Sequence, residues 1–372
     1  MRVKFKVLLL ATTVGLGFLG SAAAVSRAAT APSGWEGEWN KVVEAAKKEG
    51  KVHLAGPRGD ETRRALTGPF TKKYGIEVEY VGTAGPDLPP RMLMERRANV
   101  YYWDVVIAGT SSIVNALRPG GVLEPIEPAL ILPEVKDPKF WRGGQFPFFD
   151  KERIGLSIAR QALASLYVNT KMIKSKEIQS WRYLLRPDLK GKILIGRDPR
   201  LSGSGKATLL FFYIHKELGP EFIRQLVKQD LMLMQDDRIA ATWLAQGKYP
   251  VCVCSQRQTE RLAKEGLPVQ AIDGRQLKEG APVTLGAANV ALVNRAAHPN
   301  AAKLYVNWVL SKEGSTYYAK ANGVPSLRVD VPTDHVEPWL IPLPEWPNVN
   351  TEESMIAEDP LAGLLKQLLG SS

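Results

Sequence analysis

Apolar residues recur along this chain with two periods, and the alternation between them lays out helices and strands in turn. Residues 38–49 put Trp39, Val42, Val43 and Ala46 on one helical face and charged residues on the other, and Gly50 closes the helix. A short strand is expected over 51–55, then a loop, then a helix over 61–74 ending at Gly75. Ile76, Val78 and Tyr80 alternate as a half-buried strand does. A helix over 88–98 and an apolar strand over 103–108 follow, and Gly109-Thr110-Ser111-Ser112 turns into another helix ending near Gly120. This β-α-β-α-β order predicts a mostly parallel sheet with crossover helices.

The second half repeats the theme. Strands are expected over 163–169, 191–195, 231–234, 251–254 and 287–293, with helices over 181–185, 220–229, 237–246 and 259–265. Asp198 to Gly205 reads as a loop that opens a helix, and 299–322 as a long helical stretch broken near Gly314. Periodicity fails between Arg118 and Asp150, which hold six prolines, and in the last fifty residues until a short helix near 360–369.

The first thirty residues follow another logic. Arg2, Lys4 and Lys6 precede an apolar run from Val7 to Leu19, and Ala22-Ala23-Ala24 supplies small residues for cleavage, so residues 1–29 are expected to be a signal peptide. That run is short for a bilayer span. With no cysteine nearby for a lipid anchor, the mature chain is expected to be free in the periplasm.

At 372 residues, two domains are expected. The net charge of +11 includes four positive charges of the leader region, and the remaining basic residues interleave with acidic ones. No arginine or lysine stripe with interleaved aromatics suggests nucleic acid. The excess charge does favour anionic ligands. Cys252 and Cys254, alternate residues of one apparent strand, read as core thiols, because a disulfide there would need a bend. Four histidines and no G-x-S-x-G or H-E-x-x-H pattern argue against an enzyme.

Five segments carry a resemblance: Ala45 to Val52 (AAKKEGKV), Phe70 to Ile76 (FTKKYGI), Tyr102 to Val106 (YWDVV), Leu189 to Ile193 (LKGKI), and His298 to Gly314. In their order and spacing they resemble the iron(III)-type branch of type II periplasmic solute-binding proteins. The resemblance implies two hinge-linked α/β lobes: residues 34–160 with 272–325 in lobe 1, and 161–271 in lobe 2, with the tail 326–372 packing on the latter. It also implies a small-molecule ligand held in the inter-lobe cleft of a monomer and delivered to the membrane permease of an ABC importer. No cofactor and no metal are expected.

Ligands of open α/β sheets sit beyond the carboxyl ends of strands, where loops meet helix N-termini. That rule selects Pro57, Arg58 and Gly59 after the first strand, Thr110 and Ser111 after the third, and Arg238 at a helix start. It also selects Gln256 and Arg257 after the cysteine strand. The sharpest feature is Arg200, Ser202, Gly203, Ser204 and Gly205, where small residues let amide groups converge and Arg200 offers a planar fork. Related ferric binders hold an anion at the matching Ser-Gly segment. Micromolar binding needs about 8 kcal/mol, which four or five charge-assisted hydrogen bonds of roughly 1.5–3 kcal/mol approach. A phosphorylated or carboxylated ligand is therefore expected. Where ferric binders carry paired tyrosines, this chain reads Ser255-Gln256-Arg257-Gln258, and Arg257 would repel a cation. A ferric binder with another ligand set is the alternative, and an exported hydrolase a more distant one.

Overall fold

The computed structural model describes residues 34–83, 87–163, 165–201 and 204–370. The expected signal peptide, residues 1–29, lies outside them. Among the described residues no helix is long and apolar enough to cross a membrane.

Strands β1 (Lys51–Pro57), β2 (Glu77–Thr83), β3 (Val105–Ala108), β4 (Leu123–Glu124) and β5 (Gly155–Ser157) belong to one sheet. After β6 (Gln161–Ala162), strands β7 (Leu166–Asn169), β8 (Ile193–Ile195), β9 (Met232–Leu233), β10 (Val251–Val253) and β11 (Val269–Ala271) build a second. Then β12 (Val283–Thr284) pairs with β6, and β13 (Asn289–Val293) returns to the first sheet. The result is a mixed α/β fold of two lobes. The strand orders are β2-β1-β3-β13-β4, with β5 also on β13, and β11-β7-β10-β8-β9.

Both sheets are mixed rather than mostly parallel. β1 runs parallel to β2 and β3, and β8 parallel to β9 and β10. β13 and β7 run against their neighbours. The cause is their position in the chain. Both follow the β6–β12 crossing and so start at the edge between the lobes, whereas the crossover strands end there. β3, β7, β8, β10 and β13 are buried along their whole length, as strands covered on both faces are.

One apolar core joins β1, β3 and β13 to the helix Pro299–Leu310 through residues such as Leu54, Val106 and Trp308. The other packs Trp181, Phe211 and Phe212 over the second sheet. Ile272 and Leu277 belong to that second core, so the chain stays with lobe 2 beyond β11. The tail divides its contacts. Ser326 and Arg328 bridge to Ala159 and Trp141 on the lobe 1 side, whereas Val349, Leu361 and Leu365 enter the second core. The long C-terminal helical stretch breaks at Ser311, not Gly314. Ser311 caps the second helix, Lys312–Asn322, and Gly314 lies inside it, where a Cβ would sit 2.2 Å from the Trp308 carbonyl.

The cysteines correct an expectation. Cys252 and Cys254 are fully buried but joined in a disulfide, with Cα atoms 5.3 Å apart. β10 ends at Val253, and the bend there brings the second Cα within bridging range.

Arg328 is fully buried. Its guanidinium binds Asp330 at 2.8 and 2.9 Å, the Glu134 carboxylate at 2.9 Å, and the carbonyls of Glu134 and Leu310. Removing one member of such a network strands the others. Arg328→Ala should lower unfolding free energy by about 3–5 kcal/mol in urea titration; a change under ~1 kcal/mol would show that the network adds nothing.

Candidate ligand-binding cleft

The two crossing strands β6 and β12 share only two residue pairs, Ala162–Val283 and Gln161–Thr284. Gln161 and Thr284 line two adjoining hollows. The first, about 230 Å³, opens toward lobe 1 and is walled by Pro57, Arg160, the backbone of Gly286 to Ala288, Tyr318 and Asn322. The second, about 550 Å³, opens toward lobe 2 and is walled by Ala207, Ser255, Gln256, Arg257, Glu260 and Asn350. Together they form a crevice along the hinge, lined from both lobes and from the tail.

Arg160 is the distinctive group. It is half-buried, and its guanidinium has no hydrogen bond or ion pair among the described residues. Burial, and secondarily the like charge of Arg142, hold its pKa below the ordinary guanidinium range. Arginine does not give up its proton in proteins, so this charge stands in the crevice uncompensated.

The hydroxyls nearby are engaged. Tyr318 donates to the Ala287 carbonyl at 3.2 Å, and Tyr80 donates to the Pro57 carbonyl. Burial pushes both phenols above their ordinary range. Thr284 donates to the Asn350 side chain.

The family model described as bacterial extracellular solute-binding protein matches residues 65–347. The chain belongs to that family. Among solved structures it is similar to the Trichodesmium protein FutA (IdiA) in complex with iron and citrate, with 18% identity and a TM-score of 0.64 over 87% of this chain and all of that one. It is similar to Actinobacillus pleuropneumoniae AfuA with fructose-6-phosphate bound, at 19% identity and a TM-score of 0.59, over 87% of this chain and 99% of that one. It also matches Mannheimia haemolytica ferric iron-binding protein A in an open conformation, at 14% identity and a TM-score of 0.66, over 86% of this chain and 98% of that one. These likenesses show the two-lobe periplasmic-binding-protein fold. Membership of the family makes the protein a periplasmic solute-binding component of an ABC transporter.

In this solute-binding protein the expected site residues divide. Pro57, Gln256 and Arg257 line the crevice. Gly59, at φ 137°, starts the helix Asp60–Tyr74 in a conformation that favours glycine. Arg58 is exposed and paired with Asp87 at 3.0 Å, and Arg238 is exposed and paired with Asp236 at 2.8 Å. Arg238 pulls the Asp236 carboxyl down to about 2. Thr110 is buried, donating to the Asn350 carbonyl at 2.6 Å and accepting from Asn289 at 3.1 Å. Ser111 faces a different hollow, about 770 Å³, between Pro89, Leu93 and Met94, away from the hinge.

Ser202 and Gly203 lie outside the described residues, and Ser204 and Gly205 begin the helix Ser204–Ile214, whose Ala207 reaches the crevice. A Cβ on Gly205 would lie 2.4 Å from the Arg197 carbonyl, so packing alone requires glycine there. Arg200 is spent within the protein. It binds Asp198 through Nε at 3.0 Å and the carbonyls of Leu369 and Gly370 at 3.0 and 3.1 Å. Sequence reasoning missed Arg160, Gln161, Thr284, Glu260 and Asn350. A two-residue hinge strand has no periodicity to read, and the strand-end rule does not reach it.

One cluster could hold a metal: His53, Asp104 and His298, with ligand atoms within 4.8 Å. It sits toward the start of β1, whereas the crevice opens at Pro57 at its end. Asp104 accepts from the backbone N–H groups of His53 and His298 at 2.7 and 2.8 Å, so it pins β1 to the helix Pro299–Leu310.

The Arg200 hydrogen bonds hold the Asp198 carboxyl below the usual carboxylate range. That contribution is present above the unfolded value near 3.9 and is lost as pH falls through the lower folded value. Arg200→Ala should therefore lower neutral-pH stability by about 1–3 kcal/mol and flatten the acid limb of the stability curve. Chemical denaturation at several pH values checks both effects, and unchanged stability would return Arg200 to the list of groups free for a ligand.

Proposed function

We propose that this solute-binding protein captures a small anion, phosphorylated or carboxylated, between its lobes and hands it to the membrane permease of its importer. The observation that carries this reading is Arg160: a half-buried guanidinium at the hinge, beside a like-charged Arg142 and with no carboxylate partner among the described residues. Desolvating a charge without a partner is costly, and an incoming anion offsets that cost. Arg257 adds positive charge from lobe 2. The crevice is of the size that takes small molecules. A ligand touching both walls stabilises a closed form, because only differential affinity shifts an open–closed balance. One structural relative is solved with iron and citrate and another with fructose-6-phosphate, so both hold an anion and one holds it together with a metal.

The donor set favours an anion over ferric ion. Tyr318 is the crevice's phenol, and its hydroxyl is engaged and held in the neutral form by burial. Arg160 and Arg257 would both repel a cation. Among the described residues no histidine or cysteine, the usual soft or nitrogen ligands of a metal, lines either hollow.

Native mass spectrometry of the purified protein should show an anionic adduct that Arg160→Ala loses. Loss of one or two charge-assisted hydrogen bonds, roughly 1.5–3 kcal/mol each, weakens affinity at least tenfold. The variant should melt at or above the wild-type temperature, since it removes a desolvated charge that has no partner. A metal adduct that survives Arg160→Ala would overturn the reading.

A further inference from the structure

The lobe 2 wall carries a feature that capture of an anion does not use. Glu260 lies on the helix Gln256–Lys264, one turn after Gln256 and on the same face, and it lines the lobe 2 hollow. Among the described residues it is the one acidic residue lining either hollow. Its Oε1 is sealed from solvent beside the hydroxyl of Tyr167, so one carboxyl oxygen is turned into the lobe. Burial raises the Glu260 carboxyl, against weaker opposing pulls from Lys264, Gln256 and Tyr167. A carboxyl placed for stability alone would be matched by a base, as Asp198 is by Arg200 and Asp330 by Arg328. Glu260 has no ion pair among the described residues and stands at the crevice wall, across the shared residues Gln161 and Thr284 from Arg160.

We propose that Glu260 is a specificity determinant that accepts a hydrogen bond from the second end of the ligand, so that the crevice takes a small acid bearing an amino or hydroxyl group opposite its anionic end. This inference rests on the anionic reading above and extends it to the far end of the molecule. A ligand anionic at both ends places like charge against Glu260 in a desolvated site and is rejected. A ligand with a donor there gives the carboxyl a partner that no base of the protein supplies, and a site built to hydrogen-bond a donor discriminates strongly against analogues lacking it.

Two matched series separate this inference from the reading beneath it. The phosphates are 2-aminoethyl phosphate, 2-hydroxyethyl phosphate and phosphoglycolate; the carboxylates are 3-aminopropanoate, 3-hydroxypropanoate and malonate. Calorimetric titration of the wild-type protein should rank the amino- or hydroxyl-ended member of at least one series about tenfold or more above its doubly anionic partner. Glu260→Gln, whose amide can donate to a carboxylate, should erase or invert that ranking. Equal affinity across a binding series, or tighter binding of phosphoglycolate or malonate by the wild type, would overturn the role of Glu260 and leave the anion site standing. So would an unchanged ranking in Glu260→Gln. Failure of all six compounds to bind the wild type would overturn the anionic reading and this inference together. The wild-type ranking decides the matter even if the variant does not fold.

Discussion

The two strands that cross between the lobes, β6 and β12, pair with each other over two residues only, and the crevice lies along that pair. The tail reinforces the join. Val283 donates to the Pro347 carbonyl at 2.9 Å and accepts from Val349 at 2.8 Å, and the Thr110 hydroxyl donates to the Asn350 carbonyl. Arg118 and Glu352 pair at 2.8 Å, both mostly buried, so the tail grips lobe 1 just before its helices settle on lobe 2. Gln161, Thr284 and Asn350 are thus both hinge and wall. Whatever bridges the lobes contacts the residues that set their separation, which couples ligand contact to lobe geometry.

Against that frame the charges sort into two kinds. Arg58, Arg200, Arg238 and Arg328 each have a carboxylate within 3.0 Å, and their charge is used up in holding loops and the tail. Arg160 has none among the described residues, and it sits where the lobes meet. A group that breaks the local rule of pairing, at a site where no packing gain is visible, is the ground for the binding position proposed above. Glu260 breaks the same rule with the opposite sign a short way along the same crevice. The polarity of the crevice follows from these two unpaired groups and not from the net charge of the surface.

Legibility in the sequence followed the length of each signal. The helix Pro299–Leu310 and the strands β1, β2 and β3 have enough residues for a period to declare itself, and the segments that resemble the family lie in or beside them. The two-lobe fold was legible from these. Strand direction was not, because β7 and β13 take their sense from the hinge rather than from their own residues. The lining of the candidate crevice was half legible. Pro57, Gln256 and Arg257 follow long or well-bounded strands, so the strand-end rule finds them. Arg200 fits the same rule, yet Asp198 two residues away engages it, and the closing contacts come from Leu369 and Gly370 at the far end of the chain. No local pattern reports a partner so distant. The disulfide was hidden for a related reason: an i, i+2 pair bonds only if the strand ends between its members, and strand ends are the least legible features of a sequence.

Relatives of this fold are solved with iron and citrate and with fructose-6-phosphate, at under 20% identity to this chain. The frame therefore leaves the ligand open, and the choice falls to side chains on its rim. Residues 255–260 show how cheaply such a choice is made. They leave β10 at the disulfide bend, held by the Cys254 N–H on the Ser165 carbonyl at 2.9 Å, and enter a helix whose first turn faces the crevice. Backbone position there is set by the sheet and the bend, both independent of what the side chains at 256, 257 and 260 carry. Phenolic oxygens on such a turn would suit a hard cation. An amide and a guanidinium on that turn, with a carboxyl one turn further on, suit a molecule with an acidic end and a donor end, and no strand, hinge or core residue has to change to make the exchange.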